Sequence, residues 1–297
     1  MKMKNGFDND IIVGIDIGSE NVFCSIGLVE NESNNVKLLG LGIAPVLDSF
    51  KKGAIANRNN LIEQLEIAVT AAETMADKKV DSAYMTITGD HIRCMNTQGA
   101  IALNRNKANG TIGNDPISQR DINKVLELTQ GIALPPDRDI LHTIPQEFIV
   151  DTLEKIDNPI GLSGRRLEGH VHLVTASTSG MENLIESAEE LGININGLVF
   201  KPLASAIPTL TKDEMKLGVS LIDIGSTTTS IAVFNEGAVR HSAVIPVGSS
   251  SITNDIAVML RISIEEAEKI KIKYASAKAS LSSQKLEFEV PNSEDNQ

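Results

Sequence analysis

The 297 residues contain no tryptophan, two tyrosines and seven phenylalanines. So few flat rings leave little with which to stack nucleobases. Basic residues are also scarce, with Lys+Arg 27 against Asp+Glu 39 and a net charge of −12. An acidic surface repels phosphate backbones at long range, so nucleic acid is not expected as a partner. Two cysteines, Cys24 and Cys94, are too few for a disulfide framework or a four-sulfur zinc site. No apolar run approaches the roughly 18 residues of a membrane-crossing helix. At the N-terminus Lys2 and Lys4 are followed by Asp8 and Asp10 and a short run Ile11–Val13, which is not a secretory leader. These absences point to a cytoplasmic protein with reduced thiols.

What is present is an ordinary globular composition, 41% hydrophobic and 22% charged. The length suggests about two domains. Residues 1–10 are polar and read as a flexible N-terminus. "IIVGIDIGSENVFCSIGLV" (11–29) reads as strand, tight turn, strand, and a third strand covers Val36–Ala44. Leu61, Leu65, Ala68 and Ala72 recur at helical spacing within Asn60–Ala76, and Ala83–Thr88 is a short strand. After His91 the texture changes. A loop-like cluster spans Asn104–Asp115, a Ser-x-x-acid start at Ser118–Asp121 opens a helix, and a strand follows around Ile140–Val150. Val171–Ala176 returns to a buried-strand pattern, and Ser179 with Glu182 is expected to cap the next helix. Further on come a helix near Ala204–Leu210, a strand at Ala238–Val247, and helices at Thr253–Leu260 and Ile264–Ala277. The last of these has a capping pair at Ser263 and Glu266. The tail from Ser282 places Leu286, Phe288 and Val290 at strand spacing before an acidic end.

An internal repeat carries the chemistry. "GIDIGSENVFCSI" (14–26) and "LIDIGSTTTSIAV" (221–233) align without a gap at an offset of 207, matching Asp16 with Asp223, Gly18 with Gly225 and Ser19 with Ser226. Each copy follows an apolar strand and precedes a β-branched one. Two related halves therefore follow, each with a mixed sheet that begins in a hairpin. Glycine after the aspartate is expected to permit positive φ and a close anion approach. Hydroxyls in the turn can donate to phosphate oxygens. A carboxylate at a strand end is a hard oxygen ligand that reaches Mg²⁺ directly or through water. Two such turns facing each other would grip a nucleotide's phosphates. The competing reading of each copy is a plain hairpin turn.

At these residues the chain resembles the superfamily of actin, the heat-shock ATPases and hexokinase, and within it the bacterial cell-division family FtsA. "DIGSENV" is similar to that family's first phosphate loop and "LIDIGSTTTSIAVF" to its second. "ILHTIPQEFIVD", "NPIGLSGRRLEG" and "VHLVTAS" resemble the pattern around its inserted subdomain 1C. "PLASAIPTLTKDEMKLGV" and "GAVRHSAVIPVGSSSITNDIA" resemble its second half. The resemblance implies an α/β, actin-like (ribonuclease H-like) two-domain fold with an inserted small α+β subdomain, the SHS2 domain. Subdomain 1A would cover 11–83 and 168–196, subdomain 1C 84–167, and a second domain 197–297 with 2A and an incomplete 2B. It implies ATP and Mg²⁺ as cofactors with at most weak ATPase activity. Asp16 and Asp223 would orient the metal through its water shell. Gly18, Ser19, Gly225, Ser226, Thr227 and Thr228 would line the phosphate loops. Glu268 and Lys271 would contact the ribose and adenine side, although spacing alone makes them an i,i+3 ion pair.

The implied role is a filament-forming adaptor that links FtsZ to the inner membrane at the division site (septum) and recruits later division proteins through 1C. A PilM-type pilus-assembly protein and a small-molecule kinase are the competing readings. Departures from the family pattern are also visible. Ser226 and Thr227 replace two loop glycines, Ser230 stands where an aspartate is usual, and Lys201 stands where several relatives carry an acid or amide. The family's adenosine loop and its membrane-binding C-terminal helix are not found before Gln297, so the chain is expected to be a truncated form. Such a form is expected to leave an apolar sheet edge open. His170 and His172, two apart on a strand, are a weak metal pair, with a structural role favoured.

Overall fold

The computed structural model describes residues 11–30, 35–46, 49–103, 105–106, 112–113, 116–278 and 280. The expected flexible N-terminus, most of the expected 104–115 loop and the strand-spaced tail from 282 lie outside them. The first half opens with β1 (Ile11–Ile17), β2 (Asn21–Glu30) and β3 (Asn35–Pro45), then a short ribbon of β4 (Phe50–Lys51) and β5 (Ala54–Ile55). Helix α1 (Arg58–Ala76) and β6 (Ser82–Ile87) follow. Next come β7 (Arg93–Ala102), the ribbon β8 (Arg105–Asn106) and β9 (Ile112–Gly113), and α2 (Gln119–Thr129). The chain continues through β10 (Arg138–Val150), β11 (Leu153–Ile156), β12 (Arg166–Ser177), α3 (Thr178–Glu189) and β13 (Asn194–Phe200). The second half holds α4 (Lys201–Thr209), α5 (Lys212–Leu217), β14 (Val219–Ile224), β15 (Thr229–Asn235), β16 (Ala238–Ile245), α6 (Ser249–Leu260) and α7 (Ile264–Tyr274).

Three main sheets organise these elements. A mixed five-stranded sheet has the order β13-β6-β1-β2-β3, with β1, β6 and β13 parallel and the β1-β2-β3 meander antiparallel. Val13, Ile15 and Ile17 alternate into its core beside Val22, Cys24 and Ile26, as a period-two pattern requires. Helix α1 covers this sheet with Leu61, Leu65, Ala68 and Ala72. It lies so close to β3 that a Cβ at Gly42 would fall 1.8 Å from the Ala68 carbonyl oxygen. Only glycine fits under that turn of helix.

An antiparallel four-stranded sheet, β11-β10-β12-β7, carries α2 and its own core of Leu103, Ile117, Val125, Phe148, Val150 and Leu167. The Ser118–Asp121 capping box stands as the sequence predicts. Two expectations about this region change. Strand β6 continues in the first sheet to Ile87, beyond the expected insert boundary at 84. Strand β12 runs unbroken from Arg166 to Ser177 between β10 and β7, across the expected boundary at 168. Its last residues, Val174 and Ala176, also pack into the first core, so one strand serves both modules. The helix after it is capped by Ser177, whose Oγ accepts from the Gly180 amide at 3.3 Å, rather than by Ser179.

The second half is a three-stranded antiparallel meander, β14-β15-β16, with a small core of Ala206, Ala232, Phe234 and Val239. It repeats the β1-β2-β3 arrangement. Among the described residues no helix is long and apolar enough to cross a membrane.

Candidate functional site

The two repeated turns adopt the same backbone hydrogen bond. The Gly18 amide donates to the Asn21 carbonyl at 2.9 Å, and the Gly225 amide donates to the Thr228 carbonyl at 2.9 Å. Asn21 and Thr228 are themselves related by the repeat offset. Neither glycine takes a positive φ, contrary to the sequence expectation. The constraint is a close approach instead. A Cβ at Gly18 would stand 3.0 Å from the Asn21 oxygen, and one at Gly225 3.1 Å from the Thr228 oxygen.

The turns face one another across a cavity of about 170 Å³. From the first half its wall includes Asp16, Gly18, Ser19, Glu20 and Thr88, and from the second Lys201, Asp223, Gly225, Ser226, Thr228 and Ser230. The sequence-predicted phosphate-loop residues thus meet, with Thr227 beside them. Ser19 Oγ lies 2.5 Å from Thr227 Oγ1, and the Lys52 amide donates to the same Thr227 oxygen at 3.1 Å. Deeper in, the buried Thr88 and Ser230 hydroxyls pair at 3.0 Å. Ser230, a departure from the family pattern, therefore joins the halves. The cavity's lining of hydroxyls, glycine backbone, carboxylates and one ammonium is polar enough to suit a phosphate chain.

The two carboxylates have different surroundings. Asp16 Oδ2 lies 2.9 Å from Lys201 Nζ, and its Oδ1 accepts from the Thr86 hydroxyl. Asp223 Oδ2 accepts from the Ser205 hydroxyl at 3.3 Å, its one side-chain partner among the described residues. Lys201 is the residue that motif reading left without a role. It begins α4 directly after β13, and the amide just before it, Phe200 N–H, donates to His142 Nε2 at 2.9 Å. That bond requires an unprotonated His142 nitrogen, and burial holds the His142 pKa below its ordinary value.

Glu268 and Lys271 are not on the cavity wall. They form a 2.6 Å ion pair on α7. Thr253 Oγ1 donates to Glu268 at 2.5 Å, and Lys271 Nζ donates to the same Thr253 oxygen at 2.9 Å. The pair therefore ties α7 to α6. The first turn of α6 in turn grips the second phosphate-type loop, because the Ser249 amide donates to the Gly225 carbonyl and the Ser250 amide to the Ser226 carbonyl.

The remaining candidates are structural. His172 is buried between Asn96 Oδ1 and Ser242 Oγ, each at 2.7 Å. Burial, helped by His241, pulls its pKa down to about 4. His170 lies between Glu168 at 3.0 Å and Glu147 at 3.3 Å. Burial pushes the Cys24 thiol up to about 11 and raises that of Cys94, so neither is an activated nucleophile.

Comparison with known proteins places this geometry in a family. Residues 220–297 match the family model "Cell division protein FtsA", and residues 89–175 match "SHS2 domain inserted in FTSA". The chain is 38% identical to the cell division protein FtsA of Pseudomonas aeruginosa over 95% of its own length and 65% of that protein. It is 33% identical to FtsA of Escherichia coli K12 over 98% of its length and 66% of that protein. It therefore spans just under two thirds of these relatives. Among solved structures, the PilM-PilN type IV pilus biogenesis complex superposes with a TM-score of 0.65 at 15% identity, covering 89% of this chain and 69% of that one. At that identity the likeness is one of fold. With its actin-like architecture, its SHS2 insertion and its sequence agreement across nearly the whole chain, this protein belongs to the FtsA family of cell-division proteins.

Proposed function

We propose that this chain is a nucleotide-binding, actin-like division protein whose two Asp-Ile-Gly-Ser turns clamp the phosphates of ATP. The observation that carries this reading is the pair of turns 207 residues apart, with one hydrogen-bond pattern and facing hydroxyls, meeting at a single polar cavity. Gly18, Ser19, Gly225, Ser226, Thr227 and Thr228 would donate to phosphate oxygens, with Asp16 and Asp223 beneath them. Glu268 and Lys271 would reach the ribose side once the nucleotide is bound. Asp223, with one long hydrogen bond among the described residues, suits water-mediated contact with Mg²⁺. Asp16 does not suit it as it stands, since both its oxygens are engaged.

In this reading the protein binds FtsZ and itself, attaches to the cytoplasmic face of the inner membrane at the septum, and carries later division proteins on the module around residues 84–167. Filament formation would follow from the actin-like fold. The PilM-type alternative has a fold-level likeness at 15% identity against 33–38% for FtsA relatives. Calorimetric titration with ATP, and co-sedimentation with FtsZ and with anionic vesicles, test the parts separately. No ATP affinity in either wild-type or Lys201→Gln protein would remove the clamp.

A further inference from the structure

The polar groups of the cleft are unequally satisfied. Both oxygens of Asp16 are engaged, one by the Lys201 ammonium at 2.9 Å and the other by the Thr86 hydroxyl. Both side chains of the ion pair line the cavity and stay partly open to it, at 24% and 28% exposure. An ammonium has three donors, so one can remain on Asp16 while another reaches a ligand. The surrounding wall offers hydroxyls from Ser19, Ser226, Thr228 and Ser230.

Mg²⁺ demands near-octahedral oxygen ligands and holds its water shell tightly. At Asp16 it would have to displace a cation already at contact distance, against the repulsion of two like charges. Among the described residues there is no cluster of three or more His, Cys, Asp or Glu side chains to compensate. The position of Lys201 is also well fixed. It is the first residue of α4, followed by Pro202, and the preceding amide is pinned by His142. Pro near a helix start sets the backbone in advance.

We infer that Lys201 takes the place of a divalent cation at Asp16, so that this site binds a nucleoside polyphosphate without requiring Mg²⁺. The inference rests on the nucleotide reading given above. Lys201 bridges from Asp16 to a phosphate oxygen, and its charge offsets that of the ligand. A lysine is a compact point charge that suits this role, whereas glutamine can only hydrogen-bond.

The test uses the full chain, with ATP and inorganic tripolyphosphate as probes, titrated in excess EDTA and in excess Mg²⁺. Wild-type protein and Lys201→Arg should bind both probes with affinities that differ by less than about threefold between the two conditions. Lys201→Gln should lose about tenfold or more in EDTA, the effect of one charge-assisted hydrogen bond, and should recover with Mg²⁺. Electron paramagnetic resonance of Mn²⁺ without nucleotide should show no tight site in wild type. Wild-type binding that needs Mg²⁺, or a tight Mn²⁺ site in wild type, overturns the inference and leaves the nucleotide reading intact. Absence of binding by either probe under both conditions overturns both. The wild-type comparison needs no variant, so misfolding of Lys201→Gln would not protect the idea.

Discussion

Ser19 and Thr227, 208 positions apart, meet hydroxyl to hydroxyl at 2.5 Å across the cavity between the two halves. Each sits in one copy of the repeated turn, so the contact latches the turns to each other. A phosphate entering between them must take over these hydroxyls. Ser19→Ala and Thr227→Val should each destabilise the chain, Thr227→Val more, because the Lys52 amide also loses its acceptor. A double-mutant cycle by urea denaturation should give a coupling of about 1 kcal/mol. Strict additivity would show that the latch is not formed in solution.

Gly248 tests the support behind the second turn. A Cβ there would stand 2.4 Å from the Ser226 carbonyl oxygen and 2.5 Å from that of Gly225. Both neighbours are backbone and cannot swing aside. Gly248→Ala should cost about 1–3 kcal/mol, as overpacking does, and should speed hydrogen exchange at Ser249 and Ser250. Gly192→Ala is the contrast. It has positive φ and open space around it, so its cost should be backbone strain alone, about 1–2 kcal/mol, without any effect near the second turn.

How much of this was legible in sequence depended on whether a signal was local. The repeat was legible because Asp16 and Asp223 sit in contiguous, gap-free motifs. Strand β7 was not, because Arg93–Ala102 has no fully buried position and carries Asn96, Thr97, Gln98 and Gly99 in a row. Its place is set by pairing with β12, not by its own apolar pattern. The short helix α5 has no buried residue and rests on the Thr211–Glu214 capping box. The sequence marked Lys201 as unusual, but its bond to Asp16 spans 185 positions and needed coordinates. The reading of glycine as a positive-φ residue failed at Gly18 and Gly225 because close approach alone explains them.

Acid should weaken the joint between the four-stranded sheet and the second half. His172 bridges Asn96 on β7 and Ser242 on β16, and its pKa is about 4 in the fold against 6.5 when free. His142 is shifted in the same direction. Between these values the unfolded chain binds more protons than the folded one. Stability is therefore full above about pH 6.5 and falls as pH drops toward 4. Urea midpoints measured from pH 7.5 to pH 4.5 should follow that course, and His172→Gln should flatten it. An unchanged slope in the variant would remove His172 as a source.

The α7 ion pair separates a structural role from a ligand role. Lys271→Met breaks the bonds to Glu268 and Thr253 and should lower the thermal midpoint by a few degrees. Tripolyphosphate affinity should stay within about twofold, since the pair is off the cavity wall. ATP affinity should fall by more than that if Lys271 reaches the ribose, as proposed. Equal small changes for both probes would confine Lys271 to holding α7 on α6.

The last prediction concerns the free side of β14. Among the described residues this strand pairs only with β15, and Ile222 and Ile224 are 58% and 68% exposed. Unpaired backbone groups beside exposed isoleucines are a template for adding a strand from another chain. Val258 and Met259 on α6 and Ile272 on α7 are exposed as well and add apolar surface to the second half. Association through this edge should rise with salt, because a net charge of −12 opposes it and salt screens that charge. Ile222→Lys with Ile224→Lys places charges on the edge and should hold the chain monomeric in sedimentation velocity runs at high salt, where wild type forms larger species. Because both side chains are more than half exposed, the exchange should leave the thermal midpoint nearly unchanged. Wild-type protein that stays monomeric at high salt would show that this edge is protected by some other means.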